Sequence, residues 1–234
     1  MSERDQVSIP FTTEVRCRLQ EPVAPGNGPP PLLVVLHGQG QDGARQQRWM
    51  SAAVPEHFAA AFPDAFHPFE VRRPERKVRL GRAWYLYTPE DREAFFASLQ
   101  ASSEALWQLI EKAAQALGAD TRRIWLAGFS QGAYMTHYTA LRHLDQVAGW
   151  VSQAGGFRDE YGGNPFPHVG GRPVLIQHGR QDEAIGVEVA EATATLLRGH
   201  GAEVTVQHFD AGHVIKPEIA EAVREWLLKQ QPAG

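Results

Sequence analysis

Short apolar runs alternate with longer amphipathic stretches along most of this chain. The run Leu32–Leu36 is uninterrupted, which is typical of a strand covered on both faces of a sheet. Further segments of strand length occur at residues 58–62, 123–127, 147–151, 173–178 and 203–209, and the alternating segment 11–19 suits an edge strand. Helical patterns occupy residues 44–54, 93–117, 133–141, 187–198 and 217–229, with Gly118 as a C-cap. This alternation predicts right-handed βαβ units, and hence an α/β fold with a mostly parallel central sheet flanked by helices.

Length and composition favour a single domain over residues 1–234. With 234 residues, of which 43% are hydrophobic, the chain is long enough to bury a large core in one three-layer unit. A formal charge of −4 gives no sign of nucleic-acid binding. The first six residues lack an apolar core and no segment is long enough to span a membrane, so we expect a cytoplasmic protein. The single cysteine, Cys17, excludes an internal disulfide, and the oligomeric state stays open.

Residues 128–132 read Gly-Phe-Ser-Gln-Gly, a G-x-S-x-G motif between a predicted strand and a predicted helix. A strand that turns sharply into a helix exposes the side chain at the turn, and flanking glycines allow that turn without a Cβ clash. Such a pentapeptide also arises by chance in glycine-rich chains, so its weight comes from this context. Ser130 is therefore the candidate nucleophile, and the amide of Gln131 is placed to donate to a developing oxyanion.

A serine nucleophile needs a base, and the base needs an acid that holds its tautomer. In this kind of sheet the acid, and then the histidine, follow the serine along the chain. Asp182 follows the strand at 173–178 and His213 follows the strand at 203–209, so we expect both at the carboxyl edge of the sheet beside Ser130. The weaker alternatives are Glu183 and Asp210 as the acid, and His200 and His208 as the base.

The loop after the first apolar strand offers a second oxyanion donor. Residues 37–40 read His-Gly-Gln-Gly, and glycines there let the backbone approach a substrate, so the amide of Gln39 is the expected partner of the Gln131 amide. The same loop, residues 38–43, also spells G-x-G-x-x-G after a strand, with Asp64 where a ribose-binding acid would lie. A dinucleotide-binding oxidoreductase is therefore an alternative, although it leaves Ser130, Asp182 and His213 without a role.

Taken together, these motifs resemble the phospholipase/carboxylesterase branch of the α/β-hydrolases, which includes acyl-protein thioesterases. The matching segments are Leu36-His37-Gly38-Gln39-Gly40, Gly128-Phe129-Ser130-Gln131-Gly132, His178-Gly179-Arg180-Gln181-Asp182 and Gly212-His213. The resemblance implies the α/β-hydrolase fold with a minimal lid or none. It also implies Ser130, Asp182 and His213 as the catalytic triad and the Gln39 and Gln131 amides as the oxyanion hole. The chain departs from the family at Ala133, where the family has a second glycine, and at residues 183–186, where the family continues toward Val-Pro.

Two loops bear on the substrate. The segment 62–89 carries the basic residues Arg72, Arg73, Arg76, Lys77, Arg79 and Arg82, followed by Trp84 and Tyr85. The resemblance puts Trp84 near the acyl pocket, where an aromatic ring would wall an acyl chain, but a loop anchor packed on the core is an equal alternative. The basic run suits an anionic group, although such runs are more often solvated loop surface. The second loop, 155–167, holds Phe157, Tyr161 and Phe166, and we expect it to cover one side of the pocket, with Phe157 as a candidate substrate contact.

The sequence thus predicts a serine carboxylesterase or thioesterase that hydrolyses esters or thioesters of modest acyl groups through an acyl-enzyme. Its partners are small-molecule or acylated substrates, and this mechanism needs no metal and no cofactor. An amide or peptide hydrolase on the same fold is the main alternative. A non-catalytic binding protein on this fold is another, although such proteins usually lose a triad member.

Overall fold

The computed structural model describes residues 14–72, 77–88, 90–157, 161 and 166–230. Within these ranges the strands are β1 (Cys17–Gln20), β2 (Leu32–Leu36), β3 (Ala59–Pro63), β4 (His67–Val71), β5 (Arg79–Ala83), β6 (Ile124–Phe129), β7 (Val147–Gln153), β8 (Pro173–Gly179) and β9 (Glu203–Phe209). The helices are α1 (Gly43–Met50), α2 (Arg92–Leu117), α3 (Gln131–Ala140), α4 (Val187–Gly199) and α5 (Pro217–Lys229). No helix in these ranges is long and apolar enough to cross a membrane.

Seven of the described strands form one sheet, in the order β1-β3-β2-β6-β7-β8-β9. All neighbouring strands are parallel except β1, which runs antiparallel to β3. The predicted mostly parallel sheet flanked by helices is therefore confirmed. Because the strands are parallel, the carboxyl ends of β2, β6, β8 and β9 meet at the same edge of the sheet, and every predicted site loop leaves from that edge.

The two faces of the sheet are covered by different helices. In β2, Leu32, Val34 and Leu36 join the core on the face that packs against α2, α3 and α4. The intervening residues Leu33 and Val35 join the core on the opposite face, against α1 and α5. All five residues are 0% exposed, which explains why this strand reads as a continuous apolar run rather than as an alternation.

The structure differs from the sequence expectations at several boundaries. The helix expected over residues 44–54 ends at Met50 and continues only as a 3₁₀ turn, Ser51–Ala53. The edge strand expected over 11–19 is observed as Cys17–Gln20, and residues 11–13 lie outside the described residues. The segment 62–89 is not simply a loop, because β4 and β5 pair within it as an antiparallel hairpin. Basic and apolar residues are mixed along this hairpin without a clean two-residue period, which hid the strands.

Burial of His137 makes stability depend on pH. This residue of α3 is 0% exposed, and its Nδ1 accepts a hydrogen bond from Trp150 Nε1 at 2.9 Å. Burial lowers the pKa of His137 from 6.5 to about 3. The unfolded chain therefore takes up a proton at this side chain at a higher pH than the folded chain does. The stabilising contribution is fully present above pH 6.5 and is lost as the pH falls from 6.5 toward 3.

We therefore expect the free energy of unfolding to fall between pH 7 and pH 5 by about 2 kcal/mol more in the wild type than in His137→Gln. The reason is that the variant lacks the group whose proton uptake favours the unfolded state. Urea denaturation at the two pH values measures the difference, with each protein serving as its own reference. An equal pH dependence in the two proteins would contradict this assignment.

Candidate active site

The candidate nucleophile lies at a sharp turn between β6 and α3. Ser130 has φ 55° and ψ −120°, and Ala154 is the one other described non-glycine residue with a positive φ. Such backbone costs about 1–3 kcal/mol and persists only where neighbours hold it. The N–H of Ser130 donates to the carbonyl of Gln153 at 2.9 Å, and its carbonyl accepts from the N–H of Ala133 at 2.8 Å. The turn is thus fixed to β7 on one side and to α3 on the other.

Two glycines of the G-x-S-x-G motif allow this turn by close packing. A Cβ on Gly128 would overlap the carbonyl oxygen of Gly132. A Cβ on Gly132 would lie 2.6 Å from the carbonyl oxygens of both Leu36 and His37. The start of α3 therefore packs directly on the end of β2, which brings the Ser130 turn beside the loop that follows β2.

His213 bridges Ser130 and Asp182. Its Nε2 lies 2.9 Å from Ser130 Oγ, and its Nδ1 lies 2.7 Å from Asp182 Oδ2. The other carboxylate oxygen, Oδ1, accepts from the N–H groups of Ala184 and Ile185, both at 2.9 Å. Because this carboxylate acts as an acceptor, Nδ1 of His213 is the donor and Nε2 is left to accept the serine hydroxyl proton. The structure thus brings together the three residues of the predicted triad.

Backbone bonds between the loops after β8 and β9 fix the carboxylate relative to the histidine. The N–H of Arg180 donates to the carbonyl of Phe209 at 2.9 Å, and the N–H of Gln181 donates to Ala211 at 3.0 Å. The carboxylate of Asp182 is fully buried, whereas the His213 side chain is 25% exposed and lies where a substrate can reach it. The hydrogen bonds between Ser130, His213 and Asp182 involve none of the alternatives, which are Glu183, His200, His208 and Asp210. His208 pairs with Glu191 instead.

The two predicted oxyanion donors lie on either side of the candidate nucleophile. Gln131 is the first residue of α3, and Gln39 lies beside Ser130 in the loop after β2. Among the described residues, no protein group accepts a hydrogen bond from either backbone N–H. The side chain of Gln131 is held separately, because its Oε1 accepts from the N–H of Trp84 at 2.8 Å and its Nε2 donates to the carbonyl of Tyr85 at 3.0 Å.

His37, which sequence reasoning did not single out, orients the peptide bond that carries the Gln39 N–H. Its Nε2 accepts from the N–H of Ala65 at 3.0 Å, so its proton is on Nδ1, which donates to the carbonyl of Gly38 at 2.8 Å. That carbonyl and the Gln39 N–H belong to the same peptide unit. Burial lowers the pKa of His37, which keeps this tautomer neutral. The sequence feature that could have pointed to His37 is its position directly after the leucine-rich strand Leu32–Leu36.

The β4–β5 hairpin supports the same loop from outside. The N–H of Gly40 donates to the carbonyl of Arg82 at 2.7 Å, and Nη2 of Arg79 donates to the carbonyl of Gly40 at 2.6 Å. A Cβ on Gly81 would overlap the backbone of Gly40, so hairpin and loop are in direct contact. Of the basic segment, Arg79 thus contacts the loop through its side chain and Arg82 through its backbone, and Arg72 pairs with Glu70 at the surface. Arg73 and Arg76 lie outside the described residues.

The G-x-G-x-x-G pattern has a different explanation from dinucleotide binding. The carboxylate of Asp64 accepts from the N–H of Gly43 at 2.8 Å, and Asp42 caps α1 by accepting from the N–H of Arg45 at 2.8 Å. Two carboxylates therefore occupy the N-terminus of α1, where a dinucleotide fold would place its pyrophosphate.

The described residues contain no cluster of three or more His, Cys, Asp or Glu side chains that could hold a metal ion.

Two openings meet at Ser130 and Gln39. The first, which we name the aromatic cavity, has a volume of about 460 Å³ and is lined by Gln39, Tyr85, Tyr87, Phe95, Ser130, Gln131, Tyr134, Tyr161, Ala184 and Ile185. The second, the arginine cleft, has a volume of about 340 Å³ and is lined by Gly38, Gln39, Gln41, Arg45, Trp49, Phe129, Ser130, His213 and Val214. A substrate bound at Ser130 therefore has access to two separate spaces.

Of the three residues expected to contact substrate, Tyr85 lines the aromatic cavity, whereas Trp84 and Phe157 do not. Trp84 is 0% exposed, and its indole Nε1 donates to the carbonyl of His37 at 2.7 Å, so it is the loop anchor of the two alternatives. Phe157 is 4% exposed and packs behind Tyr161, with ring centroids 5.7 Å apart. The expectation of a minimal lid also concerns residues 158–160 and 162–165, which lie outside the described residues.

Comparison with known proteins identifies the family. A sequence model of the Phospholipase/Carboxylesterase family matches residues 20–231. The chain belongs to this family. Lysophospholipase-like protein 1 of Mus musculus, one relative, is 24% identical over 212 residues, which cover 86% of this chain and 87% of that protein. Acyl-protein thioesterase 1 of Eremothecium gossypii is 29% identical over 201 residues, which cover 81% of this chain and 83% of that protein.

Solved structures show that the fold is that of the α/β-hydrolase esterases. The esterase PE8 superposes with a TM-score of 0.75 at 22% identity and covers 94% of this chain and 100% of its own. The carboxylesterase of Bacillus cereus superposes with a TM-score of 0.72 at 19% identity, and the match covers 93% of this chain and 95% of the carboxylesterase chain. The α/β-hydrolase fold expected from the sequence is therefore confirmed, and the chain is a hydrolase of the carboxylesterase and thioesterase kind.

The packing of Gly132 predicts a specific loss of stability. Alanine is a better helix former than glycine by about 1 kcal/mol, but at this position its Cβ would meet two carbonyl oxygens 2.6 Å away. We expect Gly132→Ala to lower the free energy of unfolding by about 1–3 kcal/mol in urea denaturation. Gly28→Ala is the control, because no atom lies within 4 Å of its Cβ position. Equal stability of the two variants would argue against the close contact between α3 and β2.

Proposed function

We propose that this protein is a serine hydrolase that cleaves carboxylic esters or thioesters of modest acyl groups by two-step acyl transfer. The observation that carries the proposal is the continuous hydrogen-bond path from Ser130 Oγ through His213 to the buried carboxylate of Asp182. The family and the names of the relatives, a carboxylesterase and an acyl-protein thioesterase among them, support the same reaction class.

In the first step His213 acts as the general base. Its Nε2 accepts the hydroxyl proton as Ser130 Oγ attacks the carbonyl carbon, and the Asp182 carboxylate stabilises the imidazolium that forms. The imidazolium then protonates the leaving alcohol or thiol as its bond to the carbonyl carbon breaks. Water enters and attacks the acyl carbon as it loses a proton to His213. His213 then returns this proton to Ser130 Oγ as the bond from Oγ to the acyl carbon breaks, which releases the carboxylic acid and regenerates the free serine.

The backbone amides of Gln39 and Gln131 form the oxyanion hole of this mechanism. Each is a fixed donor with no competing protein acceptor among the described residues, so no bond has to break before it binds the developing oxyanion. Removing one such donor typically costs about 3 kcal/mol of transition-state stabilisation. The N-terminus of α3 adds a favourable dipole at the same place.

The aromatic cavity holds the acyl group. The described residues that line it include four tyrosines and Phe95, and none of them is Asp, Glu, Lys, Arg or His. Burial raises the pKa of Tyr85, which keeps that side chain neutral. A volume of about 460 Å³ suits a short or medium acyl chain or an aryl acid. Its neutral walls disfavour a charged acyl group, because a charge placed there would lack a partner.

We expect Ser130→Ala to lower kcat for ester hydrolysis by at least about a thousandfold while leaving the fold intact. The panel uses aryl esters of increasing acyl length, an acyl thioester and an amide, which also separates the esterase from the amidase alternative. Ser51→Ala is the control, since Ser51 is an exposed serine outside the site. Full activity in a correctly folded Ser130→Ala protein would overturn the mechanism, and faster cleavage of the amide than of any ester would overturn the substrate class.

The oxyanion hole is tested through His37. Its Nδ1–H polarises the peptide unit that carries the Gln39 N–H, so His37→Ala should lower kcat about tenfold with little change in KM. His37→Asn should recover part of the loss, because the amide nitrogen of asparagine is able to donate to the Gly38 carbonyl. Thermal melting of both variants controls for folding. A loss confined to KM, or no rescue by asparagine in an equally stable protein, would contradict a role in positioning the oxyanion donor.

A further inference from the structure

The two openings at Ser130 differ in their relation to His213. Both contain Ser130 and Gln39, but His213 lines only the arginine cleft. On the proposed function, His213 must give its proton to the leaving oxygen or sulfur, so the leaving group has to lie on the side of His213. The carbonyl oxygen occupies the oxyanion hole, and the acyl chain is then directed to the remaining space, the aromatic cavity.

The openings also differ in charge. None of the described residues that line the aromatic cavity carries a permanent charge. Arg45 is the one permanently charged side chain among the described residues that line the arginine cleft, whose remaining lining is neutral apart from the titratable ring of His213. A guanidinium is positive at every pH at which the protein is folded. Among the described lining residues, the permanent positive charge therefore lies in the cleft that also contains His213.

Arg45 is held in place by Trp49. Both lie on α1, four residues apart and both half-buried, and the guanidinium carbon lies 4.5 Å from the centroid of the indole ring. Stacking of this kind restricts the long arginine side chain. Because arginine has five N–H donors, Arg45 can retain its contacts with neighbouring protein groups and still present donors to the cleft.

From these observations we infer that the arginine cleft is the leaving-group subsite, and that Arg45 selects alcohols or thiols that carry an anionic group. The inference rests on the proposed function and adds to it a substrate class: esters or thioesters with a neutral acyl part and a carboxylate or phosphate on the leaving part. Carboxylate and phosphate each present a pair of oxygen atoms, and a guanidinium binds such a pair through two parallel hydrogen bonds.

The test compares matched esters that differ only in the charge of the leaving group. In the first pair, the same acyl group is esterified to the phenol oxygen of 4-hydroxybenzoate, which is anionic, or of 4-hydroxybenzamide, which is neutral. The acyl group is the one that the ester panel favours. A third ester, of 4-hydroxyphenyl phosphate, distinguishes phosphate from carboxylate. The quantity measured is the ratio of kcat/KM for the anionic ester over that for the neutral ester. Differences in intrinsic leaving ability cancel, because this ratio is compared between protein variants.

We expect Arg45→Gln to lower this ratio about tenfold, because a charge-assisted hydrogen bond is lost from the anionic substrate alone. Arg45→Lys should keep part of the preference, since it retains the charge without the paired donors. Arg48→Gln is the matched control, because it removes the same charge from an exposed position on α1. Its ratio should equal that of the wild type.

The outcomes separate this inference from the proposed function. If wild type hydrolyses the neutral ester but the ratio is equal in wild type, Arg45→Gln and Arg48→Gln, the leaving-group assignment is overturned and the esterase stands. Equal falls in Arg45→Gln and Arg48→Gln would indicate a general effect of net charge and would also overturn it. If wild type hydrolyses none of the esters, the proposed function fails and this inference fails with it.

Discussion

The backbone of Ser130 lies in a strained region at φ 55°, and the geometry of the site depends on how that turn is held. Gly128 and Gly132 have no side chains, so α3 approaches the end of β2 closely enough to contact its carbonyl oxygens. The strain, of about 1–3 kcal/mol, is offset by this packing and by the bond from the Ser130 N–H to Gln153. The same contact that fixes the proposed nucleophile places the Gln131 amide at the start of the helix.

A second set of contacts fixes the loop that carries the other proposed oxyanion donor. The loop that carries Gln39 is bound from the core side by His37 and Trp84, and from the solvent side by the β4–β5 hairpin. Gln131 joins the two halves, because its side chain bonds to the backbone of Trp84 and Tyr85. Displacement of the hairpin would therefore shift the proposed oxyanion hole and the wall of the aromatic cavity together.

Much of this arrangement follows from local sequence. The buried strands read as apolar runs, and the G-x-S-x-G motif between a strand and a helix is enough to place Ser130 at the carboxyl edge of the sheet. Parallel topology then brings Asp182 and His213 to that edge, although their 2.7 Å contact spans 31 positions of sequence.

Local sequence patterns do not contain the long-range contacts that hold the loop after β2. The β4–β5 hairpin docks on Gly40, and that contact gives the side chain of Arg79 and the backbone of Arg82 a structural role. Trp84 has the chemistry of a pocket wall, but its indole finds the carbonyl of His37 and is buried.

The central claim is that Ser130 is activated by His213 and Asp182. Reaction with a fluorophosphonate followed by peptide mass spectrometry tests it most directly, because this reagent requires an activated serine but no knowledge of the substrate. We predict one adduct, on the peptide that contains Ser130, and labelling slowed by about a hundredfold or more in His213→Ala. An adduct on another residue, or equal labelling rates in wild type and His213→Ala, would contradict it.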